Sequence, residues 1–107
     1  MRQNQMGDLR VVTLRTTQPS VSKDADFFPQ MVHNWGLSFD INTQPGPHGR
    51  NAGSLCWAGL FNTYFWIDPT ARVAGTIMTQ ILPFVDDAVM EAYAQLESGV
   101  YGALKAA

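Results

Sequence analysis

The chain reads as an α+β domain, an antiparallel β-meander of three main strands packed by one long C-terminal helix. Three observations predict it. Leu37, Phe39 and Ile41 alternate with Ser38, Asp40 and Asn42, the period of two expected for a strand with one buried face. Residues 54–67 form a long apolar and aromatic run that stops at Asp68-Pro69. Val85, Val89, Ala92, Tyr93, Leu96, Val100, Ala103 and Leu104 recur three and four apart, so they share one stripe of a helix.

The 107 residues make one domain's worth of chain, divided into an irregular lead-in (1–34), a sheet (35–82) and a helical end (83–107). In the lead-in, residues 1–7 are too few for a helix with its own core. Residues 9–14, rich in β-branched side chains, suit a short edge strand. Residues 16–22 are a polar connection containing Pro19, and 24–32, with Pro29, read as irregular or as a single helical turn. The first main strand spans 35–42. Residues 44–53 hold three glycines and two prolines and form a loop. Residues 54–67 follow as one long strand or as two pieces bent at Gly59. Residues 68–72 are a tight connection, because Pro69 presets the turn backbone.

Residues 72–81 return as the third strand, with Val73, Ile77 and Met78 its apolar members, and Pro83 ends the sheet. Sequential, closely spaced strands favour a meander. The helix runs from Asp87 to about Leu104. Asp86 and Asp87 stand at its start, where carboxylates suit the free amides and the dipole. Gly99 and Gly102 each cost about 1 kcal/mol relative to alanine, which makes the last turns either weak or tightly packed.

Composition excludes several classes. A hydrophobic content of 46% argues for a packed globule over a disordered chain. A net charge of −2 with scattered Lys and Arg gives no footprint for nucleic acid. No apolar run reaches membrane-spanning length, and residues 1–10 lack the apolar core of a signal peptide. A single cysteine, Cys56, excludes an internal disulfide. Inside a buried-looking strand it reads as a small apolar filler rather than a nucleophile. His33 and His48 have no His or Cys at ligand spacing, so neither a metal nor another cofactor is expected. Asp86, Asp87 and Glu91 read as a capped, solvated helix start.

Gly59 is the most informative residue. A glycine weakens a buried strand unless backbone must approach something closely; the plain alternative is a bulge or bend. Trp57-Ala58-Gly59 and the following Asn62-Thr63-Tyr64-Phe65-Trp66-Ile67-Asp68-Pro69 resemble the third active-site element of the serine β-lactamase and penicillin-binding-protein superfamily, in its esterase-like branch near class C. Asn34-Trp35-Gly36-Leu37 and Gly49-Arg50-Asn51-Ala52-Gly53-Ser54 also read like members. The resemblance runs from about Asn4 to the end, and Asn62 departs from it where a glycine is more usual.

The resemblance implies the C-terminal part of the β-lactamase-like α/β subdomain, two of whose five strands come from elsewhere in the parent chain. It implies that Trp57, Ala58 and Gly59 line a substrate and that the backbone N–H of Leu60 donates to an oxyanion. Trp57 cannot ion-pair a β-lactam carboxylate, which favours ester or amide substrates; its plainer role is core packing. The family's Tyr-x-Asn is absent. Ser20-Val21-Ser22-Lys23 matches Ser-x-x-Lys literally, but it follows Pro19 in a polar linker rather than opening a buried helix, and so reads as a turn.

Two readings follow. One is a C-terminal fragment of a serine hydrolase, inactive alone, partnered by its N-terminal remainder or by itself, with an acyl substrate in the complete enzyme. The other is a non-catalytic α+β binding or structural module.

Overall fold

Five strands form one antiparallel sheet in the order β1 (His33–Trp35), β2 (Asp40–Asn42), β3 (Leu55–Gly59), β4 (Thr63–Asp68) and β5 (Val73–Ile77). One helix, α1 (Asp87–Ala106), follows. The computed structural model describes residues 1–107. The class is α+β and the topology a meander, as the alternation and spacing predict, but with five strands in place of three.

Two of the extra boundaries come from hairpins that alternation could not reveal. Residues 35–42 are not one strand: Trp35 pairs with Asp40, and the Gly36 N–H bonds the Phe39 carbonyl at 2.8 Å. Leu37 therefore sits at a turn tip, 68% exposed, while Ile41 is buried. A window of six residues alternates equally well in a strand and in the two arms of a tight hairpin. Residues 54–67 likewise divide at Gly59 into β3 and β4, which run antiparallel with Gly59 opposite Thr63.

Residues 9–14 do not form the expected edge strand. Only Leu14 pairs, in a single bridge with Ala25, and Leu9 and Val12 are exposed. The lead-in instead lies along the outer side of β1, where the N–H groups of Gln5 and Val11 bond the carbonyls of Trp35 and His33 at 2.9 and 3.2 Å. Strand propensity is realised only where a ladder partner is at hand.

Tyr64, Trp66 and Asp68 form the buried face of β4 and look toward α1. Trp66 and Tyr64 join Cys56, Phe28, Val89, Tyr93 and Tyr101 in one core, with Tyr64 stacked on Tyr93 at 5.2 Å. Gly75 stands opposite Trp66 across the β4–β5 ladder, and a Cβ there would lie 2.0 Å from the indole. The absence of a side chain is what lets the largest core residue lie on its neighbouring strand. On the sheet's other face, Trp57 pairs with Phe65, Trp35 packs against Trp57 at 4.4 Å, and Phe39 against Phe65 at 6.1 Å.

Asp86 caps α1 by accepting the Val89 N–H at 3.1 Å. The buried stripe differs from the predicted one: it is Val89, Tyr93, Glu97 and Tyr101, while Leu96 and Leu104 are exposed and Val85 precedes the helix with φ 63°. Glu97 explains the rotation. Its carboxylate takes Arg50 Nε at 2.9 Å and Nη2 at 2.5 Å, and Arg50 lies over the rings of Phe28, Trp66 and Tyr93 at 5.6 to 5.9 Å. Burial alone would lower the guanidinium's pKa, but the Glu97 carboxylate more than reverses this and holds it charged. Gly99 and Gly102 face open space, so close packing does not account for them.

Asp68 gathers the segments around β4. Its Oδ2 accepts the Asn51 backbone N–H at 2.9 Å, the Asn51 side-chain amide at 2.8 Å and the Tyr101 hydroxyl at 2.7 Å. Its Oδ1 accepts the N–H groups of Thr70 and Ala71, both at 2.9 Å. Burial pushes the carboxyl up, but the donors from Asn51, Ala71 and Tyr101 win and hold its pKa at about 2 against an ordinary 3.8.

Two stability measurements test this account. Gly75→Ala is expected to destabilise the chain by about 1–3 kcal/mol in denaturant unfolding, with Trp66→Phe in the same chain recovering part of the loss. A depressed carboxyl stabilises above its unfolded value and ceases to do so as pH falls through its folded one. Asp68→Asn should therefore be less stable than the native chain by roughly 2 kcal/mol at pH 7. The gap should close as pH drops from about 4 toward 2. A pH-independent gap would remove Asp68 from this role.

Candidate functional site

The β3–β4 hairpin carries the segment singled out in the sequence. The Asn62 N–H closes its tip on the Gly59 carbonyl at 3.0 Å, which leaves the Leu60 amide outside that bond. Asn62 holds φ 62°, a left-handed conformation that glycine adopts freely and that asparagine is among the few other residues to adopt readily.

The fully buried Asn62 side chain is also put to use. Its amide donates to the carbonyls of Ile81 and Pro83, both at 2.8 Å, and its oxygen accepts the Tyr64 hydroxyl at 2.5 Å and the Asp86 N–H at 2.9 Å. Burial pushes the Tyr64 hydroxyl up to about 12, so it stays a neutral donor. One residue thus fastens the hairpin tip to the connection before α1 and to the helix cap.

β3 is paired on both sides only in part. β2 meets it at Leu55 and Cys56 alone, so Trp57, Ala58 and Gly59 have β4 on one side and no strand on the other. The open edge ends at Leu60, which is 51% exposed, beside the exposed Phe61. Trp57 is held edge-on by Trp35 at 4.4 Å and by Phe27 at 5.7 Å. It is half-buried, packs on aromatic neighbours and borders a cavity of about 90 Å³ with Phe27, Phe28, Tyr64 and Arg50. A strand edge of this kind offers backbone N–H and C=O groups to an extended ligand.

The remaining candidates are placed as follows. Cys56 is buried, and desolvation raises its thiol to about 12 even beside Arg50, so it fills the core as a neutral group. Ser20 lies exposed in a turn, and Lys23 reaches away to Asp87, Nζ to carboxylate 2.8 Å. Asp87 and Glu91 are exposed at the helix start, and His48 is exposed at the cavity rim.

The feature that sequence reasoning missed is His33. Its Nδ1 lies 2.7 and 2.9 Å from the two oxygens of Asp40, and its Nε2 lies 3.6 Å from Asp26. All three contacts depend on the β1–β2 hairpin and on the path of the lead-in. No helical or alternating spacing announces them.

Neither the curated proteins nor the solved structures gave a match. A family model described as Beta-lactamase matches residues 1–99, nearly the whole chain. The matched span includes the Trp57–Gly59 edge, the Asn62 hairpin, the Asp68 turn and most of α1, and on that evidence the chain belongs to the beta-lactamase family.

Proposed function

We propose that this chain is the C-terminal part of a β-lactamase-related serine hydrolase and supplies one wall of its acyl-transfer site. The observation that carries the reading is the half-paired β3. From Trp57 to Gly59 its outer edge takes no strand, and it ends at an exposed Leu60. In this assignment Trp57, Ala58 and Gly59 line the substrate, and the Leu60 N–H donates to the oxyanion of the tetrahedral intermediate. Such a donor acts on charge that develops only in the transition state, and losing one typically costs about 3–4 kcal/mol of barrier. The apolar indole of Trp57 favours ester or amide substrates over those carrying a carboxylate at that position.

The nucleophile and proton relay belong to an N-terminal remainder in this reading. Ser20 and Lys23 are not adopted for them, because Lys23 is engaged with Asp87. Translating the genomic sequence upstream tests it directly. An in-frame Ser-x-x-Lys followed by Tyr-x-Asn supports the reading, and an upstream region without them favours the non-catalytic α+β module.

The chain alone is expected to hydrolyse neither p-nitrophenyl esters nor a chromogenic cephalosporin above background. Turnover abolished by Ser20→Ala would make the linker serine a nucleophile and overturn the assignment.

The same reading implies a partner for the sheet. β5 pairs with β4 on one side only, and Met78 just beyond it is 77% exposed. Unpaired edges are templates for further strands. The isolated chain is expected to self-associate or to require its N-terminal remainder, as read by light scattering on dilute protein. A cooperative monomer that binds no hydrophobic dye would refute this.

A further inference from the structure

We infer that His33 is a proton-operated latch that fastens the Ala25–Phe28 stretch of the lead-in, and the aromatic cavity wall it carries, to the sheet. The argument starts from placement. His33 on β1 is 2% exposed, and the fully buried Asp40 on β2 accepts from its Nδ1 at 2.7 Å. The opposite ring nitrogen, Nε2, faces Asp26 of the lead-in at 3.6 Å. A neutral imidazole has one N–H and can donate to one carboxylate only. The imidazolium has two, and it alone can serve Asp40 and Asp26 together.

The carboxylates facing His33 favour its protonation, against the effect of burial. Asp40 comes from β2 and Asp26 from the lead-in, where the Thr13 hydroxyl donates to Asp26 Oδ2 at 3.1 Å. The Phe28 ring stands edge-on to the imidazole at 5.3 Å, and Arg50 lies over that same ring. On the next strand, Cys56 pairs opposite Asp40 as a neutral thiol. Burial alone would lower the imidazole's pKa, but the Asp40 hydrogen bond and the two carboxylate charges raise it.

The mechanical link is short. Asp26 Oδ1, the oxygen that faces Nε2, also accepts the Phe28 N–H at 3.1 Å. Phe27 and Phe28 both line the 90 Å³ cavity, and Phe27 packs against Trp57. With His33 charged, the latch draws Asp26 to the sheet and seats both rings. When the proton leaves, Asp26 loses its electrostatic partner while Asp40 keeps a hydrogen bond. The stretch at 25–28 then has no charged tie to the sheet and is held by the Leu14–Ala25 bridge, the Thr13 hydroxyl on Asp26, the Met31 N–H on the Phe28 carbonyl and packing. Since the folded value is raised, the latch is fully closed below about pH 6.5 and opens as pH rises through that folded value.

Hydrogen exchange across pH 5.5–9, corrected for the intrinsic rate, tests this on the 107-residue chain, with the His33 Cε1–H resonance giving the titration in parallel. Protection at residues 25–28 should fall at least tenfold with the His33 midpoint, while protection in α1 stays level. Asp26→Asn, which keeps the His33–Asp40 pair, should show low protection at 25–28 at every pH, with no step. His33→Gln should behave likewise. If it does not fold, Asp26→Asn alone decides. A step that persists in Asp26→Asn, or a His33 titration with no change at 25–28, overturns the latch. Neither result depends on catalysis, so failure here is separate from failure of the hydrolase assignment.

Discussion

The carboxylate of Asp68 is the point on which the arrangement turns. It stands at the end of β4 and accepts five hydrogen bonds from three segments: the loop before β3, the turn before β5, and α1. Tyr101, which donates to it, accepts in turn from the Trp66 indole at 3.2 Å. A buried carboxylate is costly unless its oxygens are satisfied. Here its satisfaction requires loop, turn and helix to be in place at once, which converts an unfavourable burial into cooperativity among segments distant in sequence.

Anchoring Asn51 has a second effect, because Arg50 is its neighbour. With the loop held at Asp68, the guanidinium reaches Glu97 and lies among Phe28, Trp66 and Tyr93. Gly49, at φ 121°, lets the loop pass close to Tyr101: a Cβ there would be 2.6 Å from that side chain. The core of this small domain therefore has a polar frame as well as an apolar filling. Asp68, Arg50 with Glu97, Asn62, and His33 with Asp40 are each buried and each partnered. Such groups contribute less net energy than well-packed apolar ones, but they penalise every arrangement that leaves them unpaired.

The same frame shapes the proposed site. Asn62 ties the β3–β4 tip to the chain before α1, so the strand carrying Trp57–Gly59 is braced at the end where Leu60 emerges. Its opposite edge stays free because β2 is too short to cover it. A rigid strand with one open edge suits a surface that must hold an extended group in a defined position.

Local pattern by itself determined the class of fold, the meander order and the capped start of α1 at Asp86 and Asp87, whereas the tertiary structure decided that Tyr64 and Trp66, rather than Phe65, face the helix. The locally determined features follow from periodicity, proline placement and capping chemistry, all of which act within a few residues. The resemblance at Trp57–Gly59 and at the Asp68-Pro69 turn led to the right family for a similar reason: those residues are contiguous. Tertiary structure decided the rest. It folded residues 35–42 into a hairpin, denied residues 9–14 a ladder, and turned α1 so that Glu97 rather than Leu96 faces inward. For α1 the deciding partners lie far along the chain: Arg50 is 47 residues from Glu97, and Asp68 is 33 from Tyr101. A polar side chain reads as solvent-facing until the fold supplies its counterpart, so polarity patterns assign it outward. Only the assembled sheet brings that counterpart within hydrogen-bond reach.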